Sequence, residues 1–310
     1  MKKEKIMKSG YTGDDKMCEH LNKAVEVLQE HGYRPGEELI YIGYYGAHNY
    51  NLNDEKSDYD FKAIVIPSLK QMIKREAISY TIENEWGNID VKDLYTYAQI
   101  VSKGNFSYLE GIQSRFWLDF TYRKAPIMKK FFANAKVNYM SMVGAIYEKY
   151  HAFTHAFPSK AEEFAKFECD PKQFQAAVRL YDILVKRHDL IIDNTASDNS
   201  IENMAFIQYE DDDCIDLSSF ENRIIPPSRP YVFTREDMIK MKRELLMPLP
   251  ETLTLFGCLQ ESAKELLPLN KELLPLNDAG LYKFEPNDYT DAAIDYLTNH
   301  YTTIFKKKGT

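Results

Sequence analysis

The chain has 310 residues, 44% of them hydrophobic, 28% charged and 13% aromatic. That is enough apolar material for one large or two small packed domains, and it excludes disorder as the main state. Thirty-nine basic against 47 acidic residues leave a net charge of −8, which argues against a broad surface for long duplex DNA, since phosphate neutralisation needs a basic field.

No apolar run approaches the ~18 residues of a membrane span. The segment Met1–Lys8 is positively charged with no apolar stretch behind it, so neither a membrane partner nor a cleaved signal peptide is expected. Cys18, Cys169, Cys214 and Cys258 lie far apart without a C-x-x-C pair. They read as free thiols of a cytoplasmic protein.

Residues 1–13 are polar and read as loose. Met17, Leu21, Ala24, Val25 and Leu28 recur at helical spacing and predict a helix over 15–32, ended by His31-Gly32. After the Pro35-Gly36 break, residues 38–43 read as a buried strand, 44–56 as a loop or short helix, and 60–66 as a second strand closed by Pro67. Residues 68–75 suit a short helix or turn. Two more strands, 77–83 and 88–91, turn at Trp86-Gly87, and Asp93 is placed to cap a helix over 94–103 that Gly104 ends.

The character changes after Pro126. Residues 127–190 read as helices, the clearest being 171–190, opened by Asp170-Pro171. Residues 192–233 read as irregular, 234–247, 251–267 and 289–305 as helical, and the tail Lys306–Lys308 as solvated. A short duplication covers 264–277. The expected fold is therefore α+β: a domain over 1–125 with a small mixed sheet and flanking helices, then a mainly helical domain over 126–310.

Chemistry concentrates in the segment 41–64. A buried strand runs into a turn at Gly46, and Asp58-x-Asp60 opens the next strand. Residues i and i+2 of a strand share a face, so Asp58 and Asp60 aim two carboxylates at one point. Clustered carboxylates are a common way to hold Mg²⁺, with substrate phosphates completing its shell, and the glycine turn offers N–H groups to a phosphate. Asp90, an isolated acid in the apolar strand Asn88–Val91, needs a charged partner or a metal. Asp211-x-Asp213 has no glycine turn behind it and reads as a solvated loop. His151 and His155, four apart, read as packing or surface residues.

These residues resemble the DNA polymerase β-type nucleotidyltransferase superfamily in the order Gly46-Ala47, Asp58-x-Asp60, Asp90. They are similar in particular to a subgroup of bacterial and phage nucleotidyltransferases, through Tyr50-Asn51-Leu52, Ser57-Asp58-Tyr59-Asp60, Gly104-Asn105 and Glu110. Lys172 and Arg179 look like the basic pair of that subgroup's helical half. The resemblance spans roughly residues 38–190. It implies a catalytic palm with Asp58, Asp60 and Asp90 as catalytic and metal-binding residues. It further implies two Mg²⁺ or Mn²⁺ ions, and a nucleoside triphosphate, ATP foremost, held by Gly46, Ala47, His48, Ser57, Lys172 and Arg179.

The implied reaction is transfer of a nucleoside monophosphate to an acceptor hydroxyl with release of pyrophosphate. A short RNA 3′ end is the acceptor preferred. Protein AMPylation and non-catalytic nucleotide binding are the alternatives. Ala47 stands where the family has serine, and no second glycine follows Gly46.

Overall fold

The computed structural model describes residues 15–103, 105–112, 114, 116–121, 139–155, 161–192, 209, 211–223, 227–266 and 287–308. The chain divides into two compact units, one of residues 1–49, 55–136 and 285–310, the other of residues 50–54 and 137–284. The architecture is mixed α+β, as the sequence predicts. The units are not the linear halves 1–125 and 126–310, because the last helix counts with the first unit and a five-residue piece of the early chain with the second.

The first unit runs α1 (Asp15–Glu30), β1 (Leu39–Tyr45), β2 (Asp60–Val65), α2 (Leu69–Lys74), β3 (Ser79–Asn84), β4 (Gly87–Asp93), α3 (Leu94–Ser102), α4 (Phe106–Ile112) and β5 (Trp117–Asp119). The strands form one sheet in the order β3-β4-β2-β1-β5. The β2/β4 pair is parallel, with Phe61 opposite Ile89 and Lys62 opposite Asp90; the other pairs are antiparallel.

Side chains alternate across the sheet. Ile42 and Tyr44 of β1, Phe61, Ala63 and Val65 of β2, and Ile89 and Val91 of β4 close on Met17, Leu21, Ala24, Val25 and Leu28 of α1 in one buried cluster. Each of the Val, Leu, Ile, Met and Phe side chains among them contributes roughly 1.5–3 kcal/mol over its exposed state, so this face fixes the register.

The opposite face of the sheet carries Tyr41, Gly43, Lys62 and Asp90, and α4 presses against it. The Tyr41 hydroxyl donates to the Gly111 and Ile112 carbonyls at 2.8 and 3.0 Å. Two glycines permit that approach: a Cβ on Gly43 would meet the Gly111 carbonyl at 3.0 Å, and one on Gly111 would meet Lys62 Cδ at 2.6 Å. The Asp93 carboxylate caps α3 by accepting from the Thr96 N–H at 2.8 Å and also takes the Ile78 N–H at 2.8 Å. The C-terminal helix, Asn287–Lys308, packs on α3 and includes Lys306–Lys308, where the sequence reading placed a tail; its Tyr301 hydroxyl donates to the Pro67 carbonyl.

The second unit contains α5 (Tyr139–Thr154), α6 (Ala161–Phe167), α7 (Pro171–Ile192), β6 (Cys214–Asp216), β7 (Val232–Thr234), α8 (Arg235–Lys240) and α9 (Leu249–Glu265). Phe153, Phe174 and Phe256 of α5, α7 and α9 meet ring to ring at 5.5–6.2 Å in its core. The stretch expected to be irregular holds the antiparallel pair β6/β7 and a 3₁₀ turn over Ser218–Arg223. The helix expected over 234–247 stops at Lys240 and is followed by turns. The helical reading of 127–138, the end of the first unit's third helix at Gly104 and most of the duplication at 264–277 fall outside the described residues.

Candidate functional site

β1 ends at Tyr45, directly opposite Asp60 at the start of β2. Gly46 then turns the chain in the left-handed region at φ +76°, where a side chain is strained, and a 3₁₀ turn over Ala47–Tyr50 follows, its Asn49 N–H on the Gly46 carbonyl at 3.0 Å. The turn abuts the acid: a Cβ on Gly46 would stand 3.5 Å from Asp60 Oδ2. Asp60 Oδ1 accepts from the backbone and side-chain nitrogens of Asn88 at 3.3 and 3.4 Å. Asp58 lies just ahead of β2 and is exposed.

Tyr59, between the two acids, is clamped. Its N–H donates to the Trp86 carbonyl at 2.8 Å. Its ring stacks on His48 at 4.2 Å and on His20 of α1 at 3.6 Å, a three-ring pile on the α1 side. Gly87 makes room for this backbone, since a Cβ there would meet the Tyr59 carbonyl oxygen at 2.2 Å. His48, expected to bind nucleotide, is thus buried against Tyr59, with Nε2 3.3 Å from the Ser57 carbonyl. Ala47 and Ser57 flank it at intermediate exposure.

Asp90 sits elsewhere in the register. It faces Lys62, two residues beyond Asp60, across the parallel β2/β4 ladder. Its Oδ2 is 3.2 Å from Lys62 Nζ and accepts the Tyr108 hydroxyl at 2.8 Å, while Oδ1 is 2.5 Å from Lys92 Nζ. Burial alone would push its carboxyl up; the Lys62 charge, with hydrogen bonds from Lys92 and Tyr108, outweighs it and holds the group below the ordinary value. Burial lowers Lys62, opposed by Asp90 and by the buried Glu110 of α4. The Lys62 side chain is 4% exposed, and its ammonium lies between the Tyr45 and Tyr108 rings, 4.2 and 3.8 Å from their centroids. Burial, then the nearby Asp60 and Asp90 charges, raises Tyr45; burial and Asp90 raise Tyr108.

In the second unit, Lys172 is exposed in the first turn of α7, its N–H on Asp170 Oδ1 at 3.2 Å. Arg179 is buried, with its guanidinium 3.8 Å from the Tyr50 ring centroid. The segment 50–54 is held throughout. Asn51, at φ +59°, donates to the Tyr209 carbonyl at 2.9 Å; Arg235 donates to the Asn51 carbonyl at 2.7 Å, Lys242 to the Leu52 carbonyl at 3.3 Å, and Arg243 pairs with Asp54 at 3.1 Å. Asp211 is 94% exposed and pairs with Arg235 at 3.1 Å. His151 and His155 stack at 3.8 Å on the exposed end of α5.

The fold therefore brings Gly46, Asp58 and Asp60 to one end of β2 and joins Asp90 to Lys62 and Lys92. Among the described residues, no three His, Cys, Asp or Glu side chains form a metal-holding group. Asp60, against the Gly46 turn, and the exposed Asp58 are carboxylates of the kind that suits a hard divalent cation. Asp90 has ammonium or hydroxyl partners on both oxygens, so it does not fit a third ligand position as it stands. Lys62, Lys92, Tyr108 and Asn88 escaped sequence reasoning. Lys62 carried a signal, for a lone lysine in the apolar strand 61–66 requires a partner by the argument applied to Asp90. Among the described residues no helix is long and apolar enough to cross a membrane. No family model and no curated protein matches the chain.

Proposed function

We propose that the chain is a metal-dependent nucleotidyltransferase, moving a nucleoside monophosphate from a nucleoside triphosphate, ATP foremost, to an acceptor hydroxyl with release of pyrophosphate. One observation carries the reading: the Asp60 carboxylate lies against the Gly46 turn at the end of β2, with Asp58 exposed beside it. A bound divalent ion would supply Lewis acidity to the phosphate oxygens. Asp58 and Asp60 are the residues to hold it, and the turn at Gly46–Ala47 offers backbone N–H groups to the phosphates. The Tyr59 clamp fixes the segment between the two acids, which lessens the reorganisation they need on binding. A short RNA 3′ end is the acceptor class we favour, and the resemblance alone assigns the exposed Lys172 of α7 to phosphate.

A non-catalytic nucleotide-binding protein is the second reading. The observation that favours it is the engagement of both Asp90 oxygens by Lys62, Lys92 and Tyr108, which lowers the basicity of the carboxylate towards an acceptor proton. The test is transfer of label from each α-³²P nucleoside triphosphate with Mg²⁺ or Mn²⁺ to short RNAs, to the protein itself and to small hydroxyl compounds. Transfer that disappears in Asp58→Ala/Asp60→Ala supports the transferase. Metal-dependent nucleotide binding without transfer supports the second reading.

A further inference from the structure

We infer that this chain fills the neighbourhood of Asp90 with its own cations, so that the site takes one divalent ion, on Asp58 and Asp60, and no second ion on Asp90. The inference rests on the proposed role of Asp58 and Asp60 and adds the number of ions and the residue that sets it, Lys62.

Lys62 is built into its place. Its stem crosses α4 where only a glycine fits, since a Cβ on Gly111 would fall 2.6 Å from Lys62 Cδ. Its ammonium is held between the Tyr45 and Tyr108 rings and 3.2 Å from Asp90 Oδ2, with the side chain 4% exposed. A surface lysine can swing into water and leave a carboxylate to a metal. This one would have to leave both rings and its counterion together. Lys92, two residues from Asp90 on the same strand and therefore on the same face, covers the other oxygen at 2.5 Å and is 11% exposed.

Charge points the same way. Lys62 and Lys92 already pair with the two oxygens of Asp90, so a divalent ion there would lie against two ammonium groups in a largely buried place. Asp58 differs in being exposed, whereas Asp90 has gained its cations from the chain.

The experiment counts Mn²⁺ bound by the full chain, from the free-ion electron paramagnetic resonance signal, with the metal alone as probe. The expected count is one ion, lost in Asp58→Ala/Asp60→Ala and unchanged in Asp90→Asn. Opening the place with Lys62→Ala, or with the milder Lys92→Ala, is expected to raise the count towards two, and the added ion is expected to vanish when Asp90→Asn is combined with it. Two ions in the unaltered chain, one of them lost in Asp90→Asn, would overturn the inference while leaving the proposed activity standing. No ion at all would overturn the role of Asp58 and Asp60, and the proposed activity with it.

Discussion

Lys62 and Asp90 face each other across the parallel β2/β4 ladder and pair at 3.2 Å, with side chains 4% and 13% exposed. Removing one member of such a buried pair leaves the other's charge without its nearest counterion. Lys62→Met is expected to lower unfolding stability by about 3 kcal/mol. The double variant Lys62→Met/Asp90→Asn should lose less than the sum of the singles, with a coupling of roughly 1–3 kcal/mol. Urea denaturation of the four proteins checks this. Additive losses would mean that the pair is bypassed through Lys92.

The same pair sets an acid dependence. The Asp90 carboxyl sits below its ordinary value of 3.8, so near that pH the unfolded chain binds more protons than the folded one and stability rises with pH. The contribution is fully present well above 3.8 and is lost as pH falls through the lower folded value. The midpoint of urea unfolding should therefore drop more steeply below about pH 5 in the unaltered protein than in Asp90→Asn. Equal slopes would assign the acid sensitivity to other carboxylates.

Gly87→Ala tests the floor under the two acids. Gly87 has φ +147°, and a Cβ there would meet the Tyr59 carbonyl oxygen at 2.2 Å, a backbone contact that cannot yield without moving the strand. A loss of about 3 kcal/mol is expected, from backbone strain and displacement of Tyr59. Thermal unfolding measures the loss. The displacement should also weaken Mn²⁺ binding, as Tyr59 separates Asp58 from Asp60.

Local pattern made much of the first unit legible. Short apolar runs bounded by Pro35-Gly36 and Pro67 marked β1 and β2, and Asp93 marked the start of α3. Register was not legible: whether Asp90 falls beside Asp60 or Lys62 depends on the parallel pairing of β2 with β4, which sequence spacing does not determine. The pair β6/β7 was missed because each strand has three residues, too few to show alternation, and fifteen residues lie between them. Nor does spacing along the chain reveal that the C-terminal helix packs on α3. The inward turn of His48 was hidden likewise, for it depends on His20 and Tyr59 reaching the same place from distant segments.

Arg179 and Lys172, alike in sequence, should respond differently to substitution. Arg179 is buried with its guanidinium on the Tyr50 ring, and a desolvated contact of that kind is worth about 1–2 kcal/mol. Arg179→Met should lower stability by at least that amount, and Arg179→Lys should restore only part of it, since an ammonium lacks the flat face that stacks. Lys172 is exposed, and Lys172→Met should stay within about 0.5 kcal/mol of the parent. Paired urea titrations decide this, and equal losses would refute the assignment of Arg179 as the anchor of Tyr50.

Asp58→Asn separates function from stability most cleanly. Asp58 is exposed and lies two residues from another carboxylate, so its charge in the metal-free protein gains little and repels Asp60. The metal-free variant should unfold within about 0.5 kcal/mol of the parent, on the stable side if on either. In the parent, Mn²⁺ should raise the unfolding temperature, since an ion that binds only the folded state stabilises it by mass action. In Asp58→Asn that rise should shrink or vanish. A variant that unfolds early without metal would make Asp58 a structural residue, whereas one that keeps the full rise would place the ion on other ligands.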